Sequence, residues 1–183
     1  MQSLYRKLAL VGQSPKTLVI ACADSRVDPA AIFDAGPGEL FIVRNVANLA
    51  PPYEEAEGHH GTSAAIEFAV QTLKVETILV LGHAQCGGVA AAISGAPPNS
   101  PFLAAWVDLL SPAKARLSPQ EKDPHGALEH ESIRVSLENL LTFPFVQSAV
   151  DAGRLTLRGA RFGVADGILE VLDPETGEFS PVD

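Results

Sequence analysis

Two short segments of this chain hold side chains suited to one kind of chemistry. Cys22, Asp24 and Arg26 alternate along Cys22-Ala23-Asp24-Ser25-Arg26, and His83 and Cys86 stand three apart in Gly82-His83-Ala84-Gln85-Cys86-Gly87-Gly88. Two thiolates and an imidazole form a donor set for a borderline-soft divalent cation, and zinc is its natural occupant. Three protein ligands leave one tetrahedral position open for water or substrate, the arrangement of a catalytic rather than a closed structural site. Such a centre carries no net charge, so a neighbouring group has to help keep a bound water ionised. If the chain stays extended past Cys22, residues 22, 24 and 26 project to one side. Arg26 then grips Asp24 in a two-pronged salt bridge, and the aimed carboxylate can accept the proton of a zinc-bound hydroxide. Released by Arg26, the same carboxylate would become a fourth ligand and close the site. Cys86 opens the helix that Gly87-Gly88 begins, where the helix dipole favours a thiolate.

Each residue alone has a plainer reading. Free cysteines are often small core hydrophobes, Asp24 could cap a helix, and Arg26 could be a surface partner. Their joint occurrence at the ends of two strands favours the metal. His59, His60, His125 and His130 have no ligand spacing beside them and read as solvated or capping residues. Gly82–Gly88 lacks the Gly-Lys-Ser/Thr ending of a phosphate loop. No Gly-x-Gly-x-x-Gly follows a strand, so a dinucleotide site is excluded as well.

The elements that must position these residues alternate. Thr17–Cys22, Glu39–Val43 and Thr77–Leu81 are short apolar runs of the kind buried on both faces of a parallel sheet. Between the second and third, Thr62 or Ser63 can cap a helix to about Leu73, with Ala65, Ile66, Ala69, Val70 and Leu73 on one face. Strand–helix–strand order predicts an open α/β fold with helices on both faces. Cys22 ends the first strand and His83 lies just past the third. Ligands bind outside such carboxyl ends, at a switch point in strand order, so Cys22 is expected beside the His83–Cys86 turn. Further on, Asp123-Pro124 reads as an N-cap and first helical residue, Ile133, Leu137, Leu140 and Leu141 mark a helical face, and Phe143-Pro144 ends it. Leu155-Thr156-Leu157 and a hairpin around Asp166-Gly167 follow, one strand joining the sheet as an edge.

Composition sets the frame. The chain has 183 residues, 46% of them hydrophobic and 19% charged, with a net charge of −9. That is a single compact domain able to bury a core without disulfide staples. An acidic chain offers nucleic acid no clustered basic face and gives an anionic membrane no polybasic patch. No apolar run approaches the roughly 18 residues of a membrane span. The first residues hold neither a sustained apolar core nor a small-residue cleavage site, so the expected compartment is the cytoplasm. There Cys22 and Cys86 serve a metal rather than a disulfide.

Taken together, Cys22-Ala23-Asp24-Ser25-Arg26-Val27 and Gly82–Gly88 resemble the two zinc-site motifs of the β-class carbonic anhydrases. The resemblance continues through Arg44-Asn45-Val46-Ala47-Asn48, Glu131-Ser132-Ile133, Ser136–Leu140 and Leu155–Gly159. It implies reversible hydration of carbon dioxide to bicarbonate and a proton by zinc hydroxide, with one Zn2+ per subunit held by Cys22, His83 and Cys86. It also implies an open, mostly parallel β-sheet with an antiparallel edge strand, flanked by helices, and a homodimer, sometimes paired further into tetramers or larger assemblies. The plant-type branch is the nearest match. There Gln13 corresponds to a glutamine that donates a hydrogen bond to substrate, Phe41 to an aromatic lining an apolar carbon dioxide pocket, and Val27 and Gly87 to positions beside it. Phe68 and Thr72 stand where plant-type members often carry Tyr and His, which leaves proton transfer to His59, His60 or buffer. Residues 1–183 read as one domain, with 1–16 as a shortened form of the arm that wraps the partner, which would loosen the dimer, and 154–183 as the C-terminal edge strand and hairpin.

Three alternatives remain open at this stage. Relatives with the same metal site hydrolyse CS2 or COS. A non-catalytic zinc module would have a closed fourth position and no use for an aimed base. A thiol redox protein would leave the His83 spacing unexplained.

Overall fold

A computed structural model describes residues 2–55 and 58–182. Helix α1 (Gln2–Val11) leads to strand β1 (Thr17–Cys22), the short helix α2 (Pro29–Ile32) and strand β2 (Leu40–Asn45). Helix α3 (Gly61–Glu67) runs into a wider π turn (Phe68–Leu73) before strand β3 (Thr77–His83). Helices α4 (Gly87–Ser94), α5 (Pro101–Val107), α6 (Ser111–Ala115), α7 (Pro124–Leu141) and α8 (Pro144–Asp151) follow. Strands β4 (Thr156–Phe162), β5 (Leu169–Leu172) and β6 (Phe179–Pro181) complete the sequence of elements.

The six strands lie in the order β2-β1-β3-β4-β5-β6. The pairs β2–β1, β1–β3 and β3–β4 are parallel, and the pairs β4–β5 and β5–β6 are antiparallel. Every residue of β1 after Thr17 is buried, as its unbroken apolar run requires. Leu18, Ile20, Ile78 and Val80 face α3, α7 and α8 through Ile66, Ala69, Ile133, Leu140, Phe143 and Val146. Val19, Ala21, Leu81 and Ala160 point the other way, where Ile32 and Phe33 are their helical cover. The expectation of helices on both faces is thus met unequally, because the β1–β2 crossover holds only the four residues of α2. The chain leaves β1 towards β2 and leaves β3 towards β4, so strand order reverses between β1 and β3. That is the predicted switch point.

Four local expectations change. β3 runs through His83, which pairs with Phe162 of β4, so the histidine ends the strand instead of following it. The helix after β2 begins at Gly61, with His60 at the cap position and no side-chain cap from Thr62 or Ser63. Strand β4 lies inside the sheet; β5 continues it, running against the other strands, and the edge is β6, reached through β5. The Asp166-Gly167 turn is wider than a two-residue hairpin, closing with Gly163 N–H on the Ile168 carbonyl at 2.7 Å.

Helix α7 presses directly on the sheet. A Cβ at Gly159 would come 2.7 Å from Ile133 Cγ2, so only glycine admits this approach. Asp123 caps the helix as predicted, accepting from Gly126 N–H at 3.0 Å.

Candidate metal centre

Cys22 ends β1, His83 ends β3, and Cys86 caps α4 three residues later. Their ligand atoms lie within 4.8 Å of one another and all three residues are buried. The sulfurs are 3.9 Å apart. Two sulfurs at about 2.3 Å from one tetrahedral ion would stand roughly 3.8 Å apart, so the spacing fits zinc. His83 is 1% exposed. Its Nδ1 meets the Ala84 carbonyl at 2.9 Å and must therefore carry the proton. Nε2 is left with a free lone pair, and it is a buried nitrogen without a hydrogen-bond partner. A bound cation supplies the missing partner.

The two thiols by themselves would share one proton. The hydrogen bond from Cys86, with those from the backbone amides of Asp24 and Ala47, brings Cys22 down to about 4 against the effect of its burial. The same contact, with burial, pushes Cys86 far up. A divalent cation relieves this conflict by taking both as thiolates.

The Ala47 amide reaches Cys22 because Asn45 folds the chain after β2 into a tight loop. Its side chain donates to the Leu49 carbonyl at 2.8 Å and accepts from Leu49 N–H at 2.8 Å. Ala47 and Asn48 are thereby held at φ 64° and 51°, in the left-handed region that L-residues avoid. Gly88 of α4 packs against this loop. A Cβ there would lie 2.7 Å from Val46 Cγ1, 2.8 Å from Ala47 Cβ and 3.2 Å from Ala47 N. Gly88→Ala is expected to cost about 1–3 kcal/mol of stability by overpacking, and thermal unfolding of the zinc-loaded protein measures it.

Asp24 and Arg26 form the expected dyad by a different route. The chain does not stay extended past Cys22; it turns, with Val27 N–H on the Asp24 carbonyl at 3.2 Å. Within the turn Asp24 Oδ1 accepts from the Arg26 backbone N–H at 2.9 Å and from Nε at 3.0 Å, and Oδ2 accepts from Nη2 at 2.7 Å. These bonds hold the carboxyl well below the usual carboxylate range. Oδ2 stands 4.0 Å from Nε2 of His83, beside the metal position. Arg26 Nη2 also reaches the Gln85 carbonyl at 3.2 Å, tying the turn to the β3–α4 loop.

Two further residues hold the site, and residue types and spacing alone did not single them out. Arg44 in β2 donates to the carbonyls of Cys22 at 2.8 Å, Asp24 at 2.6 Å and Val27 at 3.2 Å, so one guanidinium gathers the whole turn. Glu129 in α7 accepts from Cys86 N–H at 3.2 Å. A signal for each was present: Arg44 interrupts an apolar strand, and Glu129 lies one helical turn before Ile133 on the buried face.

Of the remaining candidates, Val27 is 2% exposed and packs in the same cluster as both cysteines. Gly87 is exposed at the first turn of α4. Gln13 and Phe41 are not brought to the centre. Gln13 precedes β1 at the opposite end of the sheet. Phe41 pairs with Leu18, four residues before Cys22, roughly 13 Å along the strand. It packs instead on Phe68, ring centroids 5.8 Å apart. His59 and His60 are exposed and line a cleft of about 610 Å3 with Asn45, Thr62 and Trp106. His125 and His130 are not simply solvated: His125 meets Glu129 at 2.8 Å and His130 meets Glu170 at 3.3 Å.

Comparison with known proteins points one way. The family model described as carbonic anhydrase matches residues 17–169. Beta carbonic anhydrase 3 of Arabidopsis thaliana is 40% identical over 178 residues, covering 92% of this chain and 68% of that protein. The solved structure of the beta-carbonic anhydrase CcaA superposes with a TM-score of 0.87 at 30% identity, over 100% of this chain and 83% of that one. A tetrameric beta-carbonic anhydrase of the filamentous ascomycete Sordaria macrospora gives 0.81 at 28% identity, over 98% of this chain and 88% of that one.

Proposed function

The chain belongs to the β-carbonic anhydrase family, whose zinc-dependent reaction is the reversible hydration of carbon dioxide to bicarbonate and a proton, and from that premise we propose how its own residues divide the work. Zinc, when bound by Cys22, His83 and Cys86, supplies the Lewis acidity that makes hydroxide available near neutral pH. Asp24 orients the nucleophile. Its Oδ1 takes two Arg26 donors, while Oδ2, which takes only Arg26 Nη2 and lies next to His83, accepts the hydroxyl proton with its other lone pair, so that the nucleophile turns a lone pair towards the carbon of carbon dioxide. Arg26 keeps the carboxylate ionised and off the metal. Val27 offers an apolar wall to a non-polar gas, and Gly87 leaves the mouth of the site without a side chain. His59 and His60, on the neighbouring cleft, take up the proton that Phe68 and Thr72 have no means to carry.

The reading includes a homodimer. Gln13 and Phe41 lie too far from their own centre to act there, and they reach a metal only across a subunit boundary. Helix α1, which buries none of its residues, and exposed Tyr5, Leu10 and Val11 are surface that a second copy can cover. The reading also places the protein in the cytoplasm, where thiolate ligands stay reduced.

The observation that carries this reading is the orphaned Nε2 of His83 between two sulfurs and an aimed carboxylate. Stopped-flow carbon dioxide hydration tests it, across about pH 6.5 to 9, the range bracketing a zinc-bound water. Turnover should rise with pH, vanish on chelation and return with zinc. Because Asp24 titrates far below this window, its carboxylate should contribute no limb to the profile. A zinc-replete, dimeric protein without turnover would refute the division of roles.

A further inference from the structure

The centre has a buried support that the hydration reaction does not itself call for. Glu129 is 2% exposed, a carboxylate on the inner face of α7. Its Oε2 accepts from Arg161 Nε at 2.8 Å and stands 2.7 Å from Arg161 Nη2. Its Oε1 lies 2.8 Å from His125 Nδ1 and takes the Cys86 backbone N–H at 3.2 Å. Arg161 continues outward through Nη1 to Glu170 of β5 at 2.8 Å, and Glu170 meets His130 at 3.3 Å.

Cys86 is the cap residue of α4, with Gly87, Gly88 and Val89 as the first three helical residues. In an ordinary capping box the carboxylate that takes the cap residue's own N–H comes from the third helical position. Here that position is Val89, which has no acceptor. Glu129, forty-three residues away, fills the role. The Cys86 peptide is thereby pinned, and the thiolate it carries can swing only about its own side-chain bond. A buried charge held from both sides by Arg161 and His125 is also unable to swing away.

We propose that Glu129 is a positioning residue of the metal centre, its clamped carboxylate fixing the Cys86 peptide and so the direction of the thiolate ligand. Through Arg161 and Glu170, the antiparallel strand β5 is then a support of the zinc site. The inference rests on Cys86 being a zinc ligand.

The test separates positioning from simple stability. Replacing both members of a buried ion pair by apolar residues of similar size is often neutral for folding. Glu129→Met/Arg161→Met therefore removes the acceptor while keeping the core filled. Two quantities are read: the rate of zinc transfer to a chromophoric chelator, and the sulfur-to-metal charge-transfer band of the cobalt-substituted protein. Loss of an outer support of a metal ligand typically costs about 10- to 100-fold in metal retention, and that acceleration is expected, with a shifted band. Glu129→Gln, which keeps volume and one oxygen acceptor but loses the charge, should release zinc at a rate between the two. Release and band indistinguishable from the unsubstituted protein in the double variant overturn the proposal, and the same result in Glu129→Gln overturns it if the double variant does not fold. Failure of the zinc assignment itself shows separately, as an unsubstituted protein that takes up no stoichiometric metal.

Discussion

Replacing His83 by alanine should remove zinc and carbon dioxide hydration together. The imidazole ends a central strand, paired with Phe162 across the ladder. Its protonated Nδ1 is fixed on the Ala84 carbonyl. That leaves Nε2 committed to the metal; among the described residues no further His, Cys, Asp or Glu joins the cluster, and Asp24, 4.0 Å away, is held by Arg26. Two cysteines remain, and without metal they share a proton instead of serving as two thiolates. Activity should fall to the uncatalysed background, and metal analysis should find far less than one zinc per chain. Unfolding gives an independent check, since a ligand that binds only the native state raises its stability. Chelator should lower the melting temperature of the unsubstituted protein and leave that of His83→Ala unchanged. Full activity in this variant would refute the metal centre.

Asp24→Asn should do the opposite to metal content. Shape and volume are kept, and all three ligands are untouched, so zinc stays. What is lost is the acceptor: an amide oxygen turned to Arg26 leaves an NH2 facing the nucleophile, which donates where a carboxylate accepts. Turnover should fall about a hundredfold or more, the scale of a misoriented nucleophile. Stopped-flow hydration at matched zinc content measures it. A fully active Asp24→Asn protein would make the dyad a structural salt bridge. Parallel measurement of zinc and rate distinguishes the two variants: His83→Ala loses both, Asp24→Asn only the second.

The zinc ligands were legible from sequence because each motif is short and sits at the end of an apolar run. Cys22 at the close of Thr17–Cys22 and His83 at the close of the third run fall where an open sheet collects its ligands. The dyad was legible as a pair but not as a geometry. Alternation predicted an extended segment, whereas the Asp24 side chain bonds the Arg26 backbone N–H and turns the chain. Such local competition between side chain and backbone is a property of Asp that a period-two pattern cannot register. The inner place of β4 was missed for a related reason. Leu155-Thr156-Leu157 shows an extended segment without saying which C-terminal strand is the edge; Gly159 is what lets Ile133 of α7 lie against β4 inside the sheet.

The sequence by itself therefore determined the metal donor set and the alternation of the first three strands with helices, since donor type, spacing and apolar periodicity are local properties. The reaction class came from the resemblance of the two motifs to a known family. Only the tertiary structure decided who holds the ligands in place. Arg44 reaches three carbonyls across from β2, and Glu129 reaches Cys86 from a helix forty-three residues on. It also decided that Gln13 and Phe41 stand at the wrong end of their own sheet. Contacts between residues far apart in the chain depend on strand order and register, and a one-dimensional pattern carries neither.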